Sequence, residues 1–278
     1  MQTSLFQRKI GKVTRTQRLF NEVTPHIPFG EWDKMIFPVY KKKTDDGCPK
    51  KAFDTVLRAY LARMFLGMSY EQIENALHEN ETVRNFCGIN INDDIPSDSS
   101  IFRFETLLTE NGFQKKMFKE HVDGLIIGGK IIKKGTNVDS TIVDAPTSKR
   151  NEEKSKDPEA GWTKKAGNHR HGFKGHTGTD EDSGLIHSVK FTAANEHDLA
   201  AVEDILHGEE ERNPYSNIKR IFNFRYTRTR GIKKNEARFT FLCLLSNIYK
   251  LSRTPKKKKS YPQGSTLPIS QNSLQTAS

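Results

Sequence analysis

Between Phe53 and Phe65 the apolar residues Phe53, Val56, Leu57, Tyr60, Leu61, Met64 and Phe65 recur at spacings of three and four. That stripe predicts an amphipathic helix, with Gly67 ending it. Ser69 and Gln72 form a capping-box pair for a second helix through Ile73, Ala76 and Leu77. A short third helix carries Val83, Phe86 and Cys87 as far as Gly88. Pro96, with Ser97, Asp98 and Ser99 as cap candidates, opens a fourth with Ile101, Phe104 and Leu108 on one side. Phe113, Met117, Phe118, Val122, Leu125 and Ile126 form a fifth stripe, closed by Gly128-Gly129. Residues 47–130 therefore read as a helical unit. Ahead of it, residues 1–46 read as basic and irregular, because Pro25, Pro28, Gly30 and Pro38 break any long helix.

After Gly129 the period moves towards two. The β-branched stretch 136–143 (TNVDSTIV) reads as a strand, 174–179 (KGHTGT) as a second, and 185–192 (LIHSVKFT) as a third after an Asp182-Ser183-Gly184 turn. Leu199, Val202, Ile205 and Leu206 predict a helix ending at Gly208. Residues 235–251 are apolar almost all round, the pattern of a buried helix. From Thr254 the chain is polar and rich in Pro, Ser, Thr and Gln, which predicts a disordered tail over 253–278.

Composition narrows the class of partner. The 278 residues carry 45 Lys+Arg against 34 Asp+Glu, a formal charge of +11, with a pI near 9.4. So basic a chain favours an anionic partner, of which a polyphosphate backbone is the commonest. No apolar run is long enough to cross a bilayer, and the first twenty residues lack the apolar core of a signal peptide. Cys48, Cys87 and Cys243 are odd in number and far apart, so they read as reduced core thiols of a cytoplasmic protein.

The charge is not spread evenly. Lys149, Arg150, Lys164, Lys165 and Lys174 lie between or beside the first two predicted strands. Residues 219–234 (KRIFNFRYTRTRGIKK) hold Lys219, Arg220, Arg225, Arg228, Arg230, Lys233 and Lys234 with no acid, interleaved with Phe222, Phe224 and Tyr226. A solvated face normally mixes both signs, so this tract reads as a surface for nucleic acid. Asp139 lies mid-strand in NVDST. It is either a solvent-facing acid on an edge strand or a ligand for Mg²⁺, a hard cation held by one or two carboxylates plus phosphate oxygens. His169, His171 and His176 match no compact zinc spacing and read as basic loop residues. The run Asn195 to Asp198 reads as a helix cap, and no Gly-rich phosphate loop or nucleophile elbow occurs.

Several blocks together resemble a bacterial insertion-sequence transposase of the DDE superfamily, in the insertion-sequence-five branch. They are VDSTIVDAPTS, KSKDPE…TKK, HGFKGHTGTDEDSGLIHSVKFTAANEHD and IKRIFNF…RTRGIKKNEARFTFLCLLSNIY. The stretches LRAYLARMFLGMSYEQIENALHENETVRNFCGI and IPSDSSIFRFETLL resemble the same family's N-terminal domain. The resemblance spans about residues 1–252. It implies an α/β protein: an all-helical DNA-binding domain (47–130), then an RNase H-like mixed-sheet catalytic domain (131–252). In such enzymes two aspartates and one glutamate around Mg²⁺ or Mn²⁺ cleave the element ends and join them to target DNA. Asp139 matches the first aspartate, as catalytic residue and metal ligand.

The resemblance also implies a defect. LHGEEE (206–211) runs almost directly into RNPYSNIKRIF, where the family has a further strand bearing its second aspartate. The family's glutamate, separated by six intervening residues from a lysine matched by Lys219, falls on Arg212; Glu211, one position off, is the nearest acid. The catalytic domain therefore reads as truncated, metal binding as weakened, and the sheet as short of one strand. Double-stranded DNA is the expected partner, at element ends and target, with a homodimer possible and a bacterial nucleoid location. The alternative is a non-catalytic DNA-binding remnant that occupies element ends or inhibits intact transposase.

Overall fold

The computed structural model describes residues 13–41, 51–90, 92–132, 135–148, 155–165, 167–196 and 224–253. The N-terminal stretch is more regular than its prolines suggest. Helix α1 (Arg15–Val23) is capped by the Thr14 hydroxyl, which accepts the Gln17 N–H at 3.1 Å. A 3-10 turn (Thr24–His26) leads into α2 (Phe29–Tyr40). The expectation of an irregular segment fails here because the prolines sit near helix ends. Pro25 falls in the first turn of the 3-10 helix, Pro28 is the N-cap of α2 and Pro38 lies in its last turn. At an N-terminus the missing N–H costs little. Phe20, Val23, Trp32 and Ile36 anchor both helices in the core.

The predicted helices follow in order: α3 (Phe53–Leu66), α4 (Tyr70–Glu79), α5 (Glu81–Cys87), α6 (Asp98–Glu110) and α7 (Phe113–Ile127). Their caps are those the sequence announces. Ser69 and Gln72 complete a reciprocal capping box, Ser97 caps α6, and Gly67 and Gly88 close α3 and α5 in the left-handed region. Cys87 and Cys243 are free and buried, and burial pushes the Cys87 thiol up to about 12. Cys48 lies outside the described residues.

The sheet has four strands: β1 (Thr136–Asp144), β2 (Gly161–Lys165), β3 (Asn168–Asp180) and β4 (Ile186–Ala193), all paired antiparallel. β3 is the central strand. β1 pairs along one edge of it, and β2 and β4 lie end to end along the other, since Gly172 faces both Asp144 and Gly161. Two expectations change. β2 was not foreseen, and the second strand begins at Asn168 rather than Lys174. The histidines read as loop residues therefore lie in a strand, where His171 and His176 are buried. The Asp180–Gly184 turn is fixed by Asp180, whose Oδ2 accepts from the N–H and hydroxyl of Ser183.

The predicted C-terminal buried helix is α8 (Ile232–Arg253), which packs on β4 and β3 and also on α1, α6 and α7. Phe239 lies over the sheet, with ring centroids 5.3 Å from Phe191 and 6.2 Å from Phe224. Gly175 of β3 leaves the room it needs: a Cβ there would stand 2.3 Å from the Phe239 ring. Asn247 pins the other end, accepting the Ile186 N–H at 2.8 Å and donating to its carbonyl at 2.7 Å. On the helical side Phe241 meets Tyr60 (5.1 Å) and Trp32 (6.2 Å). One apolar core thus runs from α1 through α8 to the sheet.

A charged cluster is buried at this junction. Arg63 of α3 is 1% exposed and pairs with Glu105 of α6, which also accepts the Tyr70 hydroxyl. Arg238 of α8 lies in the same electrostatic neighbourhood, and burial followed by the Arg63 charge lowers its pKa. The Glu105 carboxylate pairs with Arg63, and its charge partly offsets the lowering at Arg238.

Candidate functional site

Asp139 sits in the middle of β1, half-buried, opposite Thr177 of β3. Alternation puts it on the face of Thr141 and Val143, the face whose β3 neighbours Gly175 and Phe173 lie beneath α8. Its Oδ1 accepts the Ser140 N–H at 2.8 Å. The next carboxylate on the strand, Asp144, is five residues on and so faces the opposite side. Arg170 engages it with two donors, Nε to Oδ1 at 2.8 Å and Nη2 to Oδ2, and that hydrogen bonding raises the Arg170 pKa.

Asp144 also marks where the chain returns. Its N–H donates to the Arg225 carbonyl at 3.0 Å, and its own carbonyl accepts the Thr227 N–H at 2.7 Å, a parallel bridge. The strand position beside β1, expected to be empty, is filled at this end by residues 225–227. Past the bridge the chain reaches α8, whose first turn rests on a loop ahead of β2. Asp157 Oδ2 accepts the Gly231 N–H at 2.9 Å and Glu159 Oε2 accepts the Ile232 N–H. Two carboxylates thus satisfy backbone donors at a helix N-terminus, where the dipole favours negative charge.

The predicted DNA-contacting residues divide into three groups. Lys164 and Lys165 are exposed on β2, while Arg225, Arg228, Arg230, Lys233 and Lys234 are exposed along the bridge segment and the start of α8. Arg228 borders a polar groove of about 650 Å³ at the α3–α4 turn, with Gln72, Asn75 and Glu79. Lys174 is half-buried and its Nζ donates to the Glu196 carbonyl at 2.8 Å. Lys149, Arg150, Lys219, Arg220 and Glu211 lie outside the described residues, as do Arg212, Asp198, Phe222 and the helix expected over 199–206. Of the interleaved aromatics, Phe224 is a core residue and Tyr226 is half exposed.

Reading the residues singly missed Asp157, Glu159 and Glu105. DPE fell inside a spacer, and Glu105 looks like any polar residue of α6. Among the described residues no group of three or more His, Cys, Asp or Glu side chains is placed to hold a metal ion. Asp139 offers one hard oxygen donor, and Asp144 is turned away and committed to Arg170. By themselves these residues do not make up a two-metal site.

Residues 9–107 match the family described as Transposase domain (DUF772), and residues 132–216 match the Transposase DDE domain family. Together the two matches take in well over half of the chain, in the order helical unit then sheet. No solved structure matches it. The chain belongs to the DDE transposases of insertion sequences. The family generally uses divalent metal ions and acts on DNA. No helix among the described residues is long and apolar enough to cross a membrane.

Proposed function

We propose that this chain is an RNase H-like transposase that grips the ends of its element through the exposed cations of 225–234 and β2, with Asp139 as its catalytic carboxylate, and that its cleavage chemistry is impaired. The observation that carries the impairment is the division of β1. Asp139 lies on the α8-covered face, while Asp144 is held by Arg170 on the other. A divalent cation, when bound, stabilises charge on the attacking and leaving oxygens of phosphoryl transfer. One carboxylate holds such an ion poorly. Glu211, the nearest acid to the family's glutamate position, is the second catalytic candidate.

The chain's other residues still suit DNA. Arg225, Arg228, Arg230, Lys233 and Lys234 follow one another along a segment anchored by the Asp144 bridge and the Asp157 cap, which gives the cations a fixed base for contacting phosphates. The same surface also supports a second reading, a DNA-binding remnant that occupies element ends without cutting them.

Purified protein incubated with labelled element-end DNA in Mg²⁺ or Mn²⁺, beside Asp139→Ala, tests both readings. A shifted band with no nicking in either protein is expected for the remnant. Weak nicking that disappears in Asp139→Ala marks an impaired enzyme, and turnover comparable to an intact relative overturns the impairment. Absence of any shift overturns both.

A further inference from the structure

The first and last described helices meet at a groove that the bridge-segment cations do not line. Its volume is about 900 Å³, and α1, the end of α3 and the end of α8 form its walls. Phe65 and Leu66 contribute apolar surface, and Arg15, Arg18 and Arg253 are exposed at the rim against a single acid, Glu22. Arg253 Nη1 donates to the Tyr249 hydroxyl at 3.0 Å, which holds the guanidinium at the groove. Arg15 and Arg18 stand three apart, on one side of a helix whose start the Thr14 hydroxyl fixes.

We infer that this groove is a second phosphate-backbone site for duplex DNA, built jointly by the first and last described helices. It rests on the DNA-binding reading above and extends it to residues outside the 225–234 tract. The occupant follows from charge and from sequence continuity. The three arginines outnumber the acid, and none of them pairs with a carboxylate among the described residues. The sequence on either side adds more positive charge. Arg8, Lys9 and Lys12 precede Val13 at the groove, and Lys256 to Lys259 follow Arg253. Arg15, Arg18 and Arg253 are spaced along the rim, an arrangement of cations that a polyanion backbone matches and a small acid would not fill. Arginine suits this role because its planar donors reach two phosphate oxygens at once.

The test uses the full-length protein and a short random-sequence duplex labelled with fluorescein, with affinity measured by anisotropy between about 50 and 200 mM salt. Replacing Arg15, Arg18 and Arg253 together by Gln is expected to flatten the log-affinity versus log-salt slope by about 2 to 3, near 0.9 per lost phosphate contact. Glu22→Gln is expected to tighten binding several-fold. A control triple variant at Lys34, Arg103 and Lys119, exposed cations that do not line the groove, is expected to leave the slope within about one unit of wild type.

An unchanged slope in the groove variant overturns the inference while leaving the DNA-binding reading intact. Equal losses in both triple variants also overturn it, since the attraction is then a property of net charge. Failure of the wild type to bind any duplex overturns the underlying reading itself. The substituted side chains are exposed, so an unaltered thermal melt is the expected check on folding.

Discussion

Asp157 Oδ2 accepts the backbone N–H of Gly231 at 2.9 Å, joining residues 74 apart in sequence. The carboxylate is 1% exposed, and its loop turns about Ser155, whose hydroxyl donates to the Asp157 carbonyl at 2.6 Å. What reads in the sequence as a spacer is thus the seat on which the final helix starts. Asp157→Ala strips that helix of a cap acceptor and leaves the half-buried Gly231 N–H without this partner. The expected loss is about 1–3 kcal/mol, read as a lower urea midpoint at unchanged slope. Glu159→Gln, at a more exposed position, is expected to cost less than half as much.

Among the described residues Glu105 is the carboxylate paired with the buried Arg63, with Arg238 in the same electrostatic neighbourhood. Removing a single partner from such a cluster leaves uncompensated charge in a low-dielectric region. Glu105→Gln is expected to destabilise by about 3–5 kcal/mol. Adding Arg238→Met is expected to recover part of that loss, and chemical denaturation of the single and double variants measures the coupling. Additive losses would show that Arg238 does not depend on Glu105.

Gly175 and Phe239 test how tightly α8 lies on the sheet. A methyl group on Gly175 would overlap the aromatic ring, so Gly175→Ala is expected to cost about 1–3 kcal/mol. Phe239→Leu in the same chain is expected to restore some of it by vacating the ring plane. Thermal melts of the wild type and the two variants decide the matter.

His121 of α7 gives a pH signature. Burial first, and the Lys130 charge second, lower its pKa from 6.5 to about 4. Between those values the unfolded chain binds a proton that the folded chain refuses, so stability falls as pH drops from about 6.5 to about 4. The full contribution, present above pH 6.5, is on the order of 3 kcal/mol. Urea midpoints at several pH values should show a slope that flattens in His121→Gln; an identical slope would assign the acid sensitivity to other groups.

The helical half was legible because each helix there is an apolar stripe between a polar cap and a glycine, all local features. β1 and β4 were legible for the same reason. β2 was not: GWTKK is five residues long with two exposed lysines, and only the hydrogen bonds of β3 make it a strand. His171 and His176 looked like loop residues because they are seated against Trp162 and Thr192, partners set by the sheet. Of the site, Asp139 stood out as an acid among β-branched neighbours, and the 225–234 cations as a run without acids. Arg63 falls three residues after Tyr60 and beside Met64 on the buried side of α3, a placement that could have flagged it. Its partner Glu105 had no such local mark.

The contacts of Phe241 with Trp32 and Tyr60 also set the order in which the protein can mature during synthesis. α1 to α7 leave the ribosome long before α8, yet the surface they need in order to close is carried by the last described helix. Until residue 253 emerges, Trp32 and Tyr60 lack their aromatic partner, and Arg63 lacks the neighbouring charge of Arg238. The last contacts of this core therefore form only once nearly the whole chain is made, and until then these apolar side chains stay open to aggregation or proteolysis. A message cut short anywhere before α8 would yield a chain whose N-terminal half lacks those contacts.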